Sequence, residues 1–417
     1  MFDLIDSEKC FSKGISPYKL ISGEFDVCSP YFQAKKRSTE PPHKRQKSNT
    51  ERETEERHQT IRTQLVACLD QLAEQWPANW KERQTPTTQD TETETVDFPS
   101  MQQMVEMAQL KFSFESDKEE ECVAIELEDQ TIDLFSVFGT VYRNSSDDVR
   151  WLPLTMTANY LIPPHSTFLM GSMLNTIDLL GNYVETIGGA DLIVMDPPWP
   201  NKSVHRSSHY DTQDIYDLYK IPMLKLISKR DSLVAIWVTN KPKFRKFMID
   251  KLLPAWQLRC VAEWVWLKTT TQAESVCPLD STHKKPYEQL ILARPIHSPS
   301  PPSMPKTHTL VSVPSTTTQA ESVCPLDSTH KKPYEQLILA RPIHSPSPPS
   351  MPKTHTLVSV PSVRHSRKPP LEDVLLPWID QQEPVCLELF ARCLMPGWIS
   401  WGNECLRFQH ANYFQKQ

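Results

Sequence analysis

Leu192-Ile193-Val194-Met195-Asp196-Pro197-Pro198-Trp199 is the stretch on which the reading of this chain turns. Four apolar residues in a row, without polar alternation, predict a strand of a parallel sheet buried on both faces. An acid, two prolines and an aromatic ring follow where that strand ends. Proline cannot continue a ladder, so the pair fixes a rigid turn. In open α/β sheets, ligands bind just outside the carboxyl ends of strands. The turn therefore gathers a carboxylate, a backbone carbonyl and a flat ring where a ligand is expected. That set suits gripping an exocyclic amine on a planar base.

The flanking sequence continues the pattern. The spacing predicts a helix from about Asp214, carrying Ile215, Leu218, Leu224 and Ile227, then a strand Leu233–Val238 ending at Thr239-Asn240. A second helix (242–252) and a strand Glu263–Leu267 come next. Further on, Cys386-Leu387-Glu388-Leu389 and Trp398-Ile399-Ser400-Trp401 read as two more strands, each ending in polar groups. Strands alternating with helices argue for a parallel sheet covered on both faces. Upstream, Ile61, Leu65, Cys68, Leu69, Leu72 and Trp76 recur at helical spacing, which predicts an amphipathic helix over 58–82. The acidic, Thr-rich stretch 85–97 reads as a loop, and residues 120–145 as short strands.

Residues 269–315 and 316–362 are identical at every position. Natural repeats diverge and stack similar units to build a core; two perfect copies of a strand with a proline-rich loop do neither. Each copy carries Lys-Lys-Pro-Tyr-Glu before an apolar run, at Lys284–Glu288 and Lys331–Glu335, and the sheet is expected to have one slot for it. Residues alone do not choose between Tyr287 and Tyr334. A chain that fails to fold because of the duplication is one of the open alternatives.

Composition narrows the classes. The formal net charge is −6, so any nucleic-acid contact must use local basic patches. The ten cysteines include no Cys-x-x-Cys pair, which predicts reduced thiols in an intracellular protein and no zinc site. No apolar run approaches the ~20 residues that span a bilayer, and Asp3, Asp6 and Glu8 argue against a secretory leader. Lys35-Lys36-Arg37 and Lys44-Arg45-Gln46-Lys47 have the spacing of a bipartite import signal, which predicts the nucleus, with the cytoplasm as a second location. The expected organisation is a disordered basic and polar tail over 1–57, an accessory region over 58–150, and a main domain over 151–412.

Several pieces in one order resemble the MT-A70 family of S-adenosylmethionine-dependent adenine methyltransferases, nearest its methyltransferase-like protein 4 branch. They are Asp196-Pro197-Pro198-Trp199 with Asn201-Lys202-Ser203, Trp237-Val238-Thr239-Asn240, Lys-Pro-Tyr-Glu, His365-Ser366-Arg367-Lys368-Pro369, Glu388-Leu389-Phe390-Ala391-Arg392 and Trp401-Gly402-Asn403-Glu404. The family carries the 47-residue unit once. The resemblance implies a Rossmann-like α/β sheet with permuted motif order, the catalytic turn preceding the cofactor strand. No Gly-x-Gly-x-x-Gly occurs, so a dinucleotide cradle is not expected.

By the same resemblance, Asp196, Pro197, Pro198 and Trp199 form the catalytic turn. Asp196, Lys368, Glu388, Arg392, Asn403 and Glu404 would hold S-adenosylmethionine: Glu388, Arg392 and Asn403 at the ribose or adenine, Lys368 at the methionine carboxylate. Asn201, Lys202, Ser203, Arg206 and Tyr210, with Trp237 and Asn240, would hold the substrate; His205, Lys241, Lys243 and Arg245 could extend that path. The implied reaction is methylation of adenine N6 in RNA, with 2′-O-methyladenosine of U2 spliceosomal RNA as the specific target and DNA as the second possibility. The implied partner is nucleic acid; no metal and no membrane are expected, and the chain is expected to be monomeric or loosely associated. Two other readings stay open: a catalytically silent nucleic-acid-binding subunit, and methylation of an amide or amine on protein.

Overall fold

The computed structural model describes residues 2–21, 23–31, 49–83, 106–107, 110, 123–128, 131–154, 159–200, 214–281, 285–296, 351–364 and 367–417. Met1–Ser298 with Pro352–Gln417 form one compact unit, and Pro299–Met351 a second that lies outside the described residues except for Met351.

In chain order the strands are β1 (Phe2–Leu4), β2 (Tyr18–Leu20), β3 (Ile125–Glu126), β4 (Val141–Arg143), β5 (Arg150–Pro153), β6 (Asn159–Ile162), β7 (Thr167–Met170) and β8 (Leu192–Met195). They continue with β9 (Leu233–Val238), β10 (Leu258–Lys268), β11 (Tyr287–Pro295), β12 (Thr354–Ser359), β13 (Cys386–Leu389), β14 (Trp398–Gly402) and β15 (Phe414–Lys416). Among the described residues, eleven of these build one sheet in the order β1-β12-β10-β11-β9-β8-β13-β14-β7-β4-β3. β11 runs antiparallel to β10 and β9, and β4 to β7. The remaining ladders are parallel. The fold is thus mixed α/β around a large, mostly parallel sheet.

The expected buried strands are found. β8 and β9 are buried at every position, and helices cover one of their faces. Ile193, Met195, Val234 and Ile236 pack with Leu180 and Val184 of the helix Ile177–Thr186 and with Phe244 and Met248 after β9. On β7 the alternation splits the cores: Leu169 joins that cluster, while Phe168 and Met170 pack with Tyr142, Leu394 and Leu406. The helix expected over 242–252 is Pro242–Phe247, prolonged by a π-helical stretch Met248–Leu252. The expected helix near Asp214 is instead a 3-10 turn, Ile215–Lys220, followed by the short helix Met223–Leu226; Pro222 between them has no N–H to carry a helix through.

Part of the segment expected as a disordered tail is folded. β1 pairs in parallel with β12 at the sheet edge, and α1 (Ser7–Ser12) is capped by Asp6, whose side chain accepts from the Lys9 N–H. Glu24 and Phe11 then trap Arg367: its guanidinium carbon lies 4.2 Å from the Phe11 ring centre, 4.8 Å from Phe408 and 5.5 Å from Phe25, and its Nη1 lies 3.5 Å from Glu24 Oε2. A buried guanidinium needs such ring faces and a carboxylate to offset its desolvation. α2 (Asn49–Gln75) is longer than expected and buries Ile61, Leu65, Cys68 and Leu72 against Val265, Leu267, Tyr287 and Val358 of the sheet. Trp76, just past its end, donates from Nε1 to the Thr271 carbonyl at 2.8 Å. The basic clusters of 35–47 and the stretch 85–97 lie outside the described residues.

The duplication resolves into one composite unit. β11, with Tyr287, comes from the first copy; β12 comes from the second. β12 lies between β1 and β10, and Trp266 Nε1 donates to Ser359 Oγ at 2.8 Å. The strand slots are therefore filled once each, and Tyr334 lies outside the described residues.

Candidate functional site

Register places the site. Met195 of β8 pairs with Leu389 of β13 and with Ile236 of β9, and Leu389 pairs with Trp401 of β14. The next residue of each strand is Asp196, Phe390, Trp237 or Gly402, so four carboxyl ends open side by side. A cleft lies there, lined by Asp196, Trp237, Lys368, Glu388, Phe390 and Arg392 among others. Phe390 takes a positive φ of 62°. A Cβ on Gly402 would stand 3.1 Å from the Ala391 nitrogen, so this crossing needs a glycine.

Asp196 is the hub. Its Oδ2 accepts from Lys368 Nζ at 2.9 Å and from Arg392 Nη1 at 3.2 Å. Lys368 also meets Glu288 Oε2 at 3.2 Å, and Glu288 in turn takes Lys268. Arg392 is held from behind by Glu404, whose Oε2 accepts from its Nε at 3.3 Å while Oε1 takes Arg407 at 2.7 Å. Burial works against the Lys368 ammonium, but Asp196 and Glu288 outweigh it and its pKa is raised. Burial likewise opposes the Glu288 carboxylate, yet Lys368 and Lys268 bring it down to about 2. Glu388 goes the other way. Burial, then repulsion from Asp196, push it up to about 8 against the pull of Arg392. It is a neutral carboxylic acid at pH 7, able to donate a hydrogen bond into the cleft.

The turn itself is latched to β9. Trp199 donates from Nε1 to the Trp237 carbonyl at 2.8 Å, and its ring lies 5.1 Å from Phe244. Lys241 Nζ donates to the Pro200 carbonyl at 3.2 Å. Pro197 is buried and Pro198 exposed.

The remaining sequence-predicted residues divide. Lys368, Glu388 and Arg392 converge with Asp196 in the cleft. Lys368 stands between Asp196 and Glu288 rather than as an isolated cation. Glu404 is 3% exposed and supports Arg392 from outside the cleft lining. Asn403 does not line the cleft, and its buried Oδ1 has no hydrogen-bond partner among the described residues. Trp237 is buried and lines the cleft. Asn240 is tied by its amide to the Tyr287 carbonyl at 2.6 Å and to Gln289 at 3.1 Å, so it braces the turn region. Arg245 is committed to Glu263 through two bonds of 2.6 Å, which removes it from the expected phosphate path. Asn201, Lys202, Ser203, His205, Arg206 and Tyr210 lie outside the described residues. Glu288 carried no expected role although its motif was legible. Phe11 and Arg367 also line the cleft; Phe11 gave no signal and Arg367 stood in its motif without a role, because short segments far apart in sequence build that wall.

Among the described residues no group of three or more His, Cys, Asp or Glu could hold a metal ion, and no helix is long and apolar enough to cross a membrane.

Comparison with known proteins supplies the family. Residues 190–304 and 304–404 match the family model described as MT-A70. The N(6)-adenine-specific methyltransferase METTL4 of Homo sapiens is 36% identical over 328 residues, 76% of this chain and 58% of that protein. The N6-methyladenosine RNA methyltransferase MTA1 of Pyricularia oryzae is 34% identical over 260 residues, 60% of this chain and 55% of that protein. The DNA N6-methyl methyltransferase of Caenorhabditis elegans is 30% identical over 260 residues, 62% and 56% respectively. The chain spans little more than half the length of each of these relatives.

Proposed function

The chain belongs to the MT-A70 family, and from that premise we propose that it transfers a methyl group from S-adenosylmethionine to N6 of adenine in nucleic acid. The observation that carries the reading is Asp196, fixed at the end of β8 with both cations on one oxygen, Oδ2. Its Oδ1 takes neither and is the acceptor for an amine hydrogen.

The cleft residues fit the cofactor. A neutral Glu388 in the cleft lining matches the hydroxyl or amine groups of a nucleoside. Phe390 and Met395 offer an apolar wall, and Lys368 and Arg392 offer cations toward a carboxylate. When bound, S-adenosylmethionine supplies an electrophilic sulfonium methyl. The order of β8 with its turn before β13 is the permuted arrangement on this reading.

The adenine amine is a poor nucleophile because its lone pair is delocalised into the ring. Asp196 Oδ1 accepts one N6 hydrogen and the Pro197 carbonyl the other. Both bonds strengthen as positive charge develops on nitrogen, so they stabilise the transition state more than the ground state. The latch from Trp199 to Trp237 keeps the turn from relaxing away from the amine, which preserves the geometry on which the rate depends. The target base must leave its stack to enter.

RNA is the proposed polymer and 2′-O-methyladenosine of U2 RNA the proposed target, with nuclear import through the clusters at 35–47; the relatives' names include both RNA and DNA enzymes. The test supplies labelled S-adenosylmethionine with RNA and DNA oligonucleotides and resolves the digested nucleosides. Label in N6-methylated adenine nucleosides, greater from RNA, is expected. A folded chain that labels neither polymer overturns the proposal.

A further inference from the structure

We propose that an aromatic and basic stripe beside the cleft, Tyr216, Tyr219, Lys243 and Lys246, binds the single-stranded nucleotides that flank the target base. This rests on the methyltransferase reading for its direction but not for its binding chemistry. The stripe starts at the catalytic turn. Trp199 lies 5.1 Å from Phe244, and Phe244 and Phe247 are successive buried residues of the helix Pro242–Phe247. Tyr216 and Tyr219 both stand on Phe247, at 5.6 and 5.7 Å and at 88° and 84° to its plane. Their own rings are parallel within 9°, with centres 6.3 Å apart.

Packing does not account for these tyrosines. Tyr216 is 56% exposed and Tyr219 40% exposed, although each is anchored by its neighbours. The Asp214 side chain accepts from the Tyr216 N–H at 3.1 Å and so fixes the start of the 3-10 turn that carries both rings. Two rigid, parallel, solvent-facing rings form a stacking platform that any base can use. Charge favours the same partner. Asp217, between the two tyrosines, is neutralised by Lys220 at 2.8 Å. On the facing helix Lys243 and Lys246 are exposed, with Lys243 Nζ 4.7 Å from the Phe244 ring centre. Asp250 and Lys251 on the following turn cancel in formal charge, and Asp214 at the start of the 3-10 turn offsets one of the two lysines, leaving an excess of positive charge. The face therefore pairs ring surfaces with net positive charge, the combination that tracks a single strand. An acidic protein surface would use the lysines but would leave the parallel rings without a planar partner.

The experiment measures fluorescence anisotropy of a labelled single-stranded RNA dodecamer with the full chain, without cofactor. Tyr216→Ala/Tyr219→Ala should weaken binding at least tenfold, whereas Tyr216→Phe/Tyr219→Phe should stay near wild type because ring faces persist. Lys243→Gln/Lys246→Gln should lower the log–log salt slope by about 1.4, roughly 0.7 per lost phosphate contact; thermal melts confirm that each variant is folded. An unchanged affinity in the alanine pair, or an unchanged salt slope in the glutamine pair, overturns the stripe. Binding that depends on the stripe without methyl transfer would sink the catalytic reading alone. Methyl transfer with unaltered affinity in the alanine pair would sink the stripe alone.

Discussion

Replacing Glu388 with glutamine should stabilise this protein at neutral pH, and by an amount that grows with pH. Burial and the neighbouring Asp196 raise the Glu388 pKa from 4.5 to about 8. In the unfolded chain the group ionises near 4.5; in the folded chain it keeps its proton until about 8. Between those values the folded state binds the extra proton, so stability falls as pH rises. Each pH unit in that window costs about 1.4 kcal/mol, which places a burden on the order of 3 kcal/mol on the wild type at pH 7. Glutamine keeps the size and hydrogen-bonding groups of the neutral acid but never ionises. The assay is denaturant unfolding of wild type and Glu388→Gln at intervals from pH 5 to 9. The difference between the two curves should open steadily from pH 5 and level off above 8. Parallel curves across that range would refute the claim that this carboxyl is held neutral.

Three other features give further expectations. Leu72→Ala on α2 should cost roughly 2–5 kcal/mol, since Leu72 is fully buried against the sheet cluster; a cost under about 1 kcal/mol in thermal unfolding would mean that α2 is a detachable appendage. Deleting residues 297–343 removes one repeat unit and leaves the described strands intact. Shortening the connection from 54 residues to 7 is about three halvings, so denaturant unfolding should show a gain of about 2 kcal/mol, and a loss would contradict the composite assignment of β11 and β12. Glu288→Gln should weaken the acid limb of the stability profile. The Glu288 pKa lies below its ordinary value, so its contribution is full above about 4.5 and is lost as pH falls toward about 2; identical acid unfolding of wild type and variant would refute the pairing with Lys368 and Lys268.

Legibility in the sequence followed the range over which a signal acts. β8 and β9 were plain because continuous apolar runs report burial on both faces, β13 because only Glu388 interrupts its apolar residues, and the polar residues after them mark the carboxyl ends. The convergence of Asp196, Lys368 and Arg392 depended on motifs nearly two hundred residues apart, so only the family resemblance grouped them. β1 was not visible: three residues carry no period, and the strand exists because the edge of β12 is there to receive it. Arg367 looked like part of a basic motif, whereas its burial is set by Phe11, Glu24, Phe25 and Phe408 arriving from both ends of the chain. The repeat was beyond sequence reasoning for a different reason. Identical copies have identical propensities, so only the topology, with β11 between β10 and β9 and β12 between β1 and β10, assigns one strand to each copy. Asn240 and Arg245 were read as substrate contacts from their place after β9; the facing residues Tyr287, Gln289 and Glu263 engage them instead.

The central claim is that Asp196 accepts a hydrogen from the adenine amine as the methyl group is transferred. Single-turnover methyl transfer to an adenine-containing RNA oligonucleotide, with wild type and Asp196→Asn under saturating S-adenosylmethionine, tests it most directly. Asparagine keeps the shape but weakens acceptance and removes the charge that pairs with Lys368 and Arg392. The account predicts a rate lower by roughly a hundredfold or more in a variant that still melts cooperatively, in line with loss of one preorganised transition-state contact. Transfer within a few-fold of wild type would contradict it.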